Sequence, residues 1–242
     1  MALIRARDIE RAPRHWALVG SRLAGKSTFL TAMSKTILVV DTEGRGREID
    51  GVNGCEVFIP DVPDRQDPLA ISQVLRRDAQ DIRDARIQLI AIDSLTPIYK
   101  RLSAEAVAKN ERKTNKNLSI AYVDKANAIR LFQDAAVSLG TDVAMIWHYE
   151  AGRDGNGKEV VNQTISEVER QKLARSLNGI IELQAEKGRR VARIVWSRAG
   201  GNLLRGVEIV DERGHWKGVP EQIDALFAEA GHRRQEGVAN DG

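Results

Sequence analysis

The sequence predicts an α/β protein with a mostly parallel central sheet, flanking helices and antiparallel strands at one edge. Three observations predict it. Short runs rich in Val, Ile and Leu alternate with helically spaced apolar residues as far as residue 177. A glycine-containing loop, Gly20-Ser21-Arg22-Leu23-Ala24-Gly25-Lys26-Ser27-Thr28, joins the first apolar run to the first helical segment. From residue 179 onward the pattern changes to strand after strand, a meander rather than a parallel repeat.

Residues 1–14 are basic and mixed, and Pro13 separates them from the first strand. They read either as a frayed terminus or as an arm packing on a neighbouring subunit. Residues 16–19, Trp-Ala-Leu-Val, form a buried strand entering the loop. The loop itself fits G-x-x-x-x-G-K-[ST], the P-loop pattern. Its backbone N–H groups wrap nucleotide phosphates, and the following helix, residues 26–34, aims its positive end at the same anion. Gly20 and Gly25 permit the close approach, Lys26 reaches the β- and γ-phosphates, and the Ser27 hydroxyl suits Mg²⁺.

Residues 36–41 form a second interior strand whose tip carries Asp41 and Glu43. Ligands gather at the carboxyl ends of such strands. Glu43 is therefore placed to orient or deprotonate water, though a carboxylate there equally reads as the cap of a turn. Residues 55–59 are a third strand stopped by Pro60, and residues 69–86 a helix. Residues 87–94 are a hydrophobic run ending in Asp93, the Walker B pattern that holds the Mg²⁺ shell. Residues 97–140 are a mainly helical crossover interrupted by a polar, basic stretch at 109–117. That stretch reads as a solvated linker or as a mobile loop near nucleic acid. Residues 142–148 form the next strand and place His148 at the same edge, as a structural histidine or a γ-phosphate sensor. Residues 153–158 make a glycine-rich hairpin or flexible loop, and 167–177 a helix. Strands follow at 179–184, 191–197 and 203–210, then a helix at 220–230 and a polar tail at 231–242 expected to be disordered.

Composition sets bounds. At 242 residues the chain suits one large domain, and its 42% apolar content supplies a core of mostly aliphatic side chains. The single cysteine, Cys55, excludes intrachain disulfides and cysteine metal clusters and reads as a small buried side chain. No apolar run approaches a membrane span of about 18 residues, and residues 1–14 lack a signal peptide's apolar centre. An intracellular, cytoplasmic protein is expected. A net charge of +3 permits nucleic-acid binding without demanding it.

These motifs, in this order over residues 16–210, resemble a RecA-like P-loop NTPase, most similarly the short phage RecA/Rad-like single-strand annealing ATPases. In that family the strand after the P-loop helix ends in the catalytic glutamate, here within Val40-Asp41-Thr42-Glu43. AAA+ ATPases tend instead to carry it directly after the Walker B aspartate, where this chain has Ser94. The resemblance makes His148 the γ-phosphate sensor and residues 150–163 a DNA-binding loop. It also makes Arg198 a cation acting in trans, although Trp196 replaces the lysine paired with it in the family. It implies ATP and Mg²⁺ as cofactors and single-stranded DNA as partner. It further implies a ring or filament with ATP sites between subunits, and a single-strand binding protein as an additional partner. If the chain is phage-encoded, the location is a bacterial host's cytoplasm. The expected organisation is an arm at 1–14, an ATPase core at 15–230 and a tail at 231–242. A RecA-fold helicase or translocating motor, and a nucleotide-regulated module without catalysis, remain alternatives. A GTPase is disfavoured, because Asn115-Lys116-Asn117-Leu118 is not a base-reading Asn-Lys-x-Asp. A small-molecule kinase is disfavoured too, since no arginine-rich lid is evident.

Overall fold

Each interior strand is apolar on both faces, so both faces must be covered. In β1 (His15–Gly20), Trp16 and Leu18 face one core while Ala17 and Val19 face the other. The same alternation divides β2 (Thr36–Asp41), β4 (Leu89–Asp93) and β5 (Asp142–Arg153). The computed structural model describes residues 12–112, 117–153, 159–186 and 188–240. Residues 1–11 of the arm expected at 1–14, and the basic and glycine-rich loop centres at 113–116 and 154–158, lie outside them.

Among the described residues one sheet holds nine strands. Its main order is β3 (Glu56–Phe58), β2, β4, β5, β1, β7 (Gly179–Glu186), β8 (Arg189–Ser197), β9 (Glu208–Val210). Strands β3 through β7 in that order are parallel, whereas β8 and β9 add antiparallel at one edge. The fold class is the expected one. Helices α1 (Lys26–Met33) and α7 (Val219–Asn240) pack on one face through Phe29, Leu30, Val219 and Ile223. The other face is covered by α2 (Pro68–Arg77), α3 (Ala79–Asp84), α4 (Leu95–Glu111), α5 (Leu118–Val137) and α6 (Glu167–Leu173).

Several boundaries differ from expectation. The helix expected over residues 69–86 is two helices, interrupted at Asp78, whose φ of −91° and ψ of 11° leave the helical well. The strand expected over 203–210 is only β9, and residues 202–206 form turns. The helix expected over 167–177 ends at Leu173. The last helix does not stop at residue 230: α7 continues to Asn240 through the segment expected to be disordered. β5 does not end at His148 but runs on to Arg153 and pairs antiparallel with β6 (Glu159–Gln163). The described parts of the expected DNA loop, residues 150–153 and 159–163, thus form a two-stranded extension of the sheet.

No described helix is long and apolar enough to cross a membrane. Cys55 is buried and free, and burial pushes its thiol up to about 11.

Candidate nucleotide site

The parallel strands end along one edge, and the register brings their tips together. Gly20 of β1 lies beside His148 of β5, and Asp41 of β2 beside Asp93 of β4. β5 separates the P-loop strand from the Asp93 strand, so residues far apart in sequence meet above it.

The loop takes its shape from its glycines. Gly25 adopts φ +82° as it enters α1, and Gly20 adopts φ +149°. A Cβ on Gly20 would lie 2.3 Å from the carbonyl oxygen of Leu183 in β7. The loop therefore lies against the neighbouring strand too closely for a side chain at that point. Ser21, Arg22 and Leu23 stand exposed, Leu23 at 92%, while Ala24 is buried and Thr28 half-buried on α1. Lys26 is 5% exposed, and its Nζ donates to the carbonyls of Gly20 at 3.0 Å and Ser21 at 2.6 Å. Burial pushes its amine down to about 8, against the opposing pull of Asp93 and Glu43.

Ser27 Oγ donates to Asp93 Oδ2 at 2.6 Å, so the two oxygen ligands expected for Mg²⁺ already adjoin. Burial raises the Asp93 pKa from its ordinary value. A bound cation would reverse that by favouring the ionised form. Among the described residues no cluster of three His, Cys, Asp or Glu could cage a metal. Ser27 and Asp93 fit Mg²⁺, which holds few protein ligands and takes the rest from phosphate and water.

The two carboxylates at the β2 tip have different roles. Asp41 is buried, and its oxygens accept N–H bonds from Glu43 at 3.2 Å, Gly44 at 2.7 Å and Gly46 at 2.7 Å. It caps the turn and so aims Glu43. Glu43 Oε1 accepts from Ser94 Oγ at 2.7 Å and from His148 Nε2 at 2.8 Å. Burial would raise the Glu43 pKa, but these two hydrogen bonds and the charges near it outweigh burial and hold it below its ordinary value. Thr42 locks the two strand tips, receiving the Ser94 N–H and donating to the Ser94 carbonyl, both at 2.8 Å. Glu43 thus reaches the place beside Asp93 from the adjacent strand, where Ser94 occupies the chain itself.

A family model described as an AAA domain matches residues 12–197. The chain belongs to the AAA domain family. No curated protein sequence matches it. Among solved structures, the crystal structure of the RadB recombinase aligns with a TM-score of 0.44 and 18% sequence identity, covering 82% of this chain and 87% of that one.

In this AAA domain protein the structure brings together Lys26, Ser27, Glu43, Asp93 and His148. It does not bring Arg198 to them. Arg198 follows β8 at the Gly179 end of the sheet, opposite the P-loop, where it donates to the carbonyls of Ala174 and Arg175. One residue escapes the sequence reading altogether. Trp216, fully buried in the loop between β9 and α7, donates its indole N–H to the Gly25 carbonyl at 3.0 Å and packs edge-on against Phe29. A Cβ on Gly25 would lie 2.8 Å from Trp216 Nε1. The only local signal was an isolated tryptophan flanked by turn glycines, Gly214 and Gly218.

Proposed function

We propose that this protein binds ATP with Mg²⁺, hydrolyses it, and couples the cycle to single-stranded DNA in annealing or homologous recombination. The observation that carries the reading is the contact of Glu43 with His148 above the Ser27–Asp93 pair. The contact spans the tip of β4, from Glu43 after β2 to His148 of β5, and supports reading the carboxylate as the water activator and the imidazole as the phosphate sensor.

The backbone of residues 20–25 and the start of α1 cradle the phosphates. Lys26, already poised over that loop, transfers its hydrogen bonds to phosphate oxygens. Ser27 and Asp93 would hold Mg²⁺, which when bound neutralises phosphate charge and orders the γ-phosphate for in-line attack. Glu43, ionised because two donors hold it so, orients water and accepts its proton. His148 must then share its Nε2–H between Glu43 and the incoming γ-phosphate.

His148 is continuous with the β5–β6 extension, and the Thr164 N–H closes that extension on the His148 carbonyl at 3.1 Å. A shift at His148 therefore moves the ribbon proposed to contact DNA, and by linkage DNA and ATP tighten one another. Arg198, remote from its own P-loop, is offered to a neighbouring subunit in a ring or filament. The same reading places the protein in the cytoplasm, of a bacterial host if phage-encoded, with a single-strand binding protein as partner.

The test is ATP hydrolysis with and without single-stranded DNA for wild type, Lys26→Ala and Glu43→Gln. DNA should stimulate the wild type. Removing the proton acceptor should lower turnover by about 10²-fold or more while leaving ATP binding. Lys26→Ala should lose both. Unchanged turnover in Glu43→Gln overturns the catalytic assignment, and no DNA binding at low salt overturns the recombination reading. Directional strand displacement would replace annealing with a motor activity.

A further inference from the structure

The protein has a cavity of about 1000 Å³ that is separate from the P-loop and lies between α4, α5 and α6. Two contacts fix how its walls run. Lys125 of α5 pairs with Glu169 of α6, and Gln133 of α5 donates to Ser176 just after α6 at 3.0 Å. The two segments therefore lie side by side in the same direction. Residues early in each helix share one end of the groove, and later residues share the other.

The two ends differ in chemistry. The early end is lined by Tyr99, Tyr122, Ala126 and Val168, with Ile129 further along. Tyr122 and Val168 are exposed at 40% and 60%, so apolar surface faces water there. Lys125 lies beneath, 9% exposed, with its Nζ 5.2 Å from the Tyr99 ring centre and 5.5 Å from that of Tyr122. Its charge is already met by Glu169. The late end carries Arg130, Lys172 and Arg175, all exposed, against the single carboxylate Asp134. Among the described residues none of these three cations has a carboxylate within ion-pair distance.

We propose that this groove docks an acidic peptide segment of a partner protein. An apolar side chain of the segment would enter the Tyr122–Val168 end, and its carboxylates would meet Arg130, Lys172 and Arg175. The division of the groove favours a peptide over a nucleic-acid strand. A phosphate backbone carries charge along its whole length and would run past Glu169 and Asp134. A peptide can place apolar and acidic residues where each is matched. The groove is also tied to the sensor strand. Thr164 on its wall shares a hydroxyl hydrogen bond of 2.9 Å with Thr96, whose oxygen accepts the His148 N–H at 3.4 Å. A docked segment would bias the position of His148. That second consequence, unlike the binding itself, rests on the ATPase reading proposed above.

The probe is a fluorescein-labelled peptide with a Leu-Phe pair next to four glutamates, made in both sequence orders, and a control with lysines for the glutamates. Anisotropy against the full-length protein at low salt should show saturable binding of a glutamate peptide, weakened by added salt, and none of the lysine peptide. Arg130→Glu/Lys172→Glu/Arg175→Glu should weaken it by about tenfold or more through charge reversal. Val168→Glu should weaken it with those cations intact. Unchanged ATP binding by both variants reports that they are folded. No binding at millimolar peptide, or equal binding by the triple variant, overturns the proposal. So does protection of Arg130 and Arg175 from chemical modification by an oligothymidylate, since the groove would then hold nucleic acid. Peptide binding without any change in hydrolysis keeps the docking site and removes only its link to His148.

Discussion

At Glu43 a single carboxylate oxygen takes hydrogen bonds from residues 51 and 105 positions away in the chain. That convergence sets its titration. Because Ser94 and His148 favour the ionised form, the acid limb of the pH–turnover profile should lie below the usual glutamate range. Ser94→Ala removes one donor, so the Glu43 pKa should rise and the acid limb move to higher pH, with turnover unchanged at the alkaline plateau. Steady-state rates across pH check this, and an unmoved limb would show that Glu43 is not the titrating base. Lys26 titrates in the opposite sense. Its amine, held near 8 by burial, loses its charge as pH rises through that value in the free protein. Phosphate binding favours the charged form, so binding above pH 8 must take up a proton. Nucleotide affinity should fall as pH climbs past 8, approaching about tenfold per pH unit. Calorimetry in buffers of different ionisation enthalpy measures the proton uptake directly. Lys26→Arg, which stays charged, should flatten the dependence.

At the scale of elements, the P-loop is held from both sides by segments that sequence reading does not join to it. β7 closes on Gly20, and the β9–α7 loop closes on Gly25 through Trp216. Trp216→Phe keeps most of the buried ring but loses the bond to the Gly25 carbonyl. That carbonyl also accepts the Phe29 N–H at 2.9 Å, so the first turn of α1 should loosen rather than unfold. A neutral hydrogen bond of about 1 kcal/mol corresponds to about fivefold in nucleotide affinity. Fluorescent-nucleotide titration should show that loss with turnover at saturation nearly intact; a fall in turnover alone would refute a positioning role. The same contacts explain what the sequence made legible. Interior strands were readable because both of their faces are apolar, and Lys26, Ser27 and Asp93 because their motifs are local. Trp216 was not, since its partner lies 191 residues earlier. The β5–β6 ribbon was readable only as one alternative, a hairpin or a flexible loop at 153–158, because Glu150 and Gly152 break the apolar run and leave the strand beyond His148 without a local signal. The residues alone left Glu43 readable as a turn cap and only the family resemblance singled it out, whereas the folded chain gives the cap to Asp41.

On the scale of the whole molecule, segments from early, middle and late in the chain meet at Arg14. Its side chain, 8% exposed, donates to the Met33 carbonyl at the end of α1 at 2.9 Å. It pairs with Asp142 at the start of β5 at 3.6 Å and with Asp224 in α7, and its guanidinium lies 5.3 Å from the Trp16 ring centre. One cation thus links the strand that carries the P-loop, the helix that follows it, β5 and the last helix. Two carboxylates around one guanidinium make its loss asymmetric. Arg14→Met keeps much of the packing against Trp16 but leaves both acids without that cation. Removing one partner of a buried ionic cluster costs about 3–5 kcal/mol, and the upper part of that range does not apply because Asp224 is partly exposed. Asp142 also retains the backbone N–H of residue 14, which reaches it at 2.8 Å and does not depend on the side chain. A loss of about 3 kcal/mol in urea denaturation is therefore expected. Adding Asp224→Leu to Arg14→Met should recover part of it, since an apolar pair then replaces an uncompensated acid. If the double variant is no more stable than the single, the cost lies in the Met33 contact and not in the stranded charge, and α7 is then held by its apolar face alone.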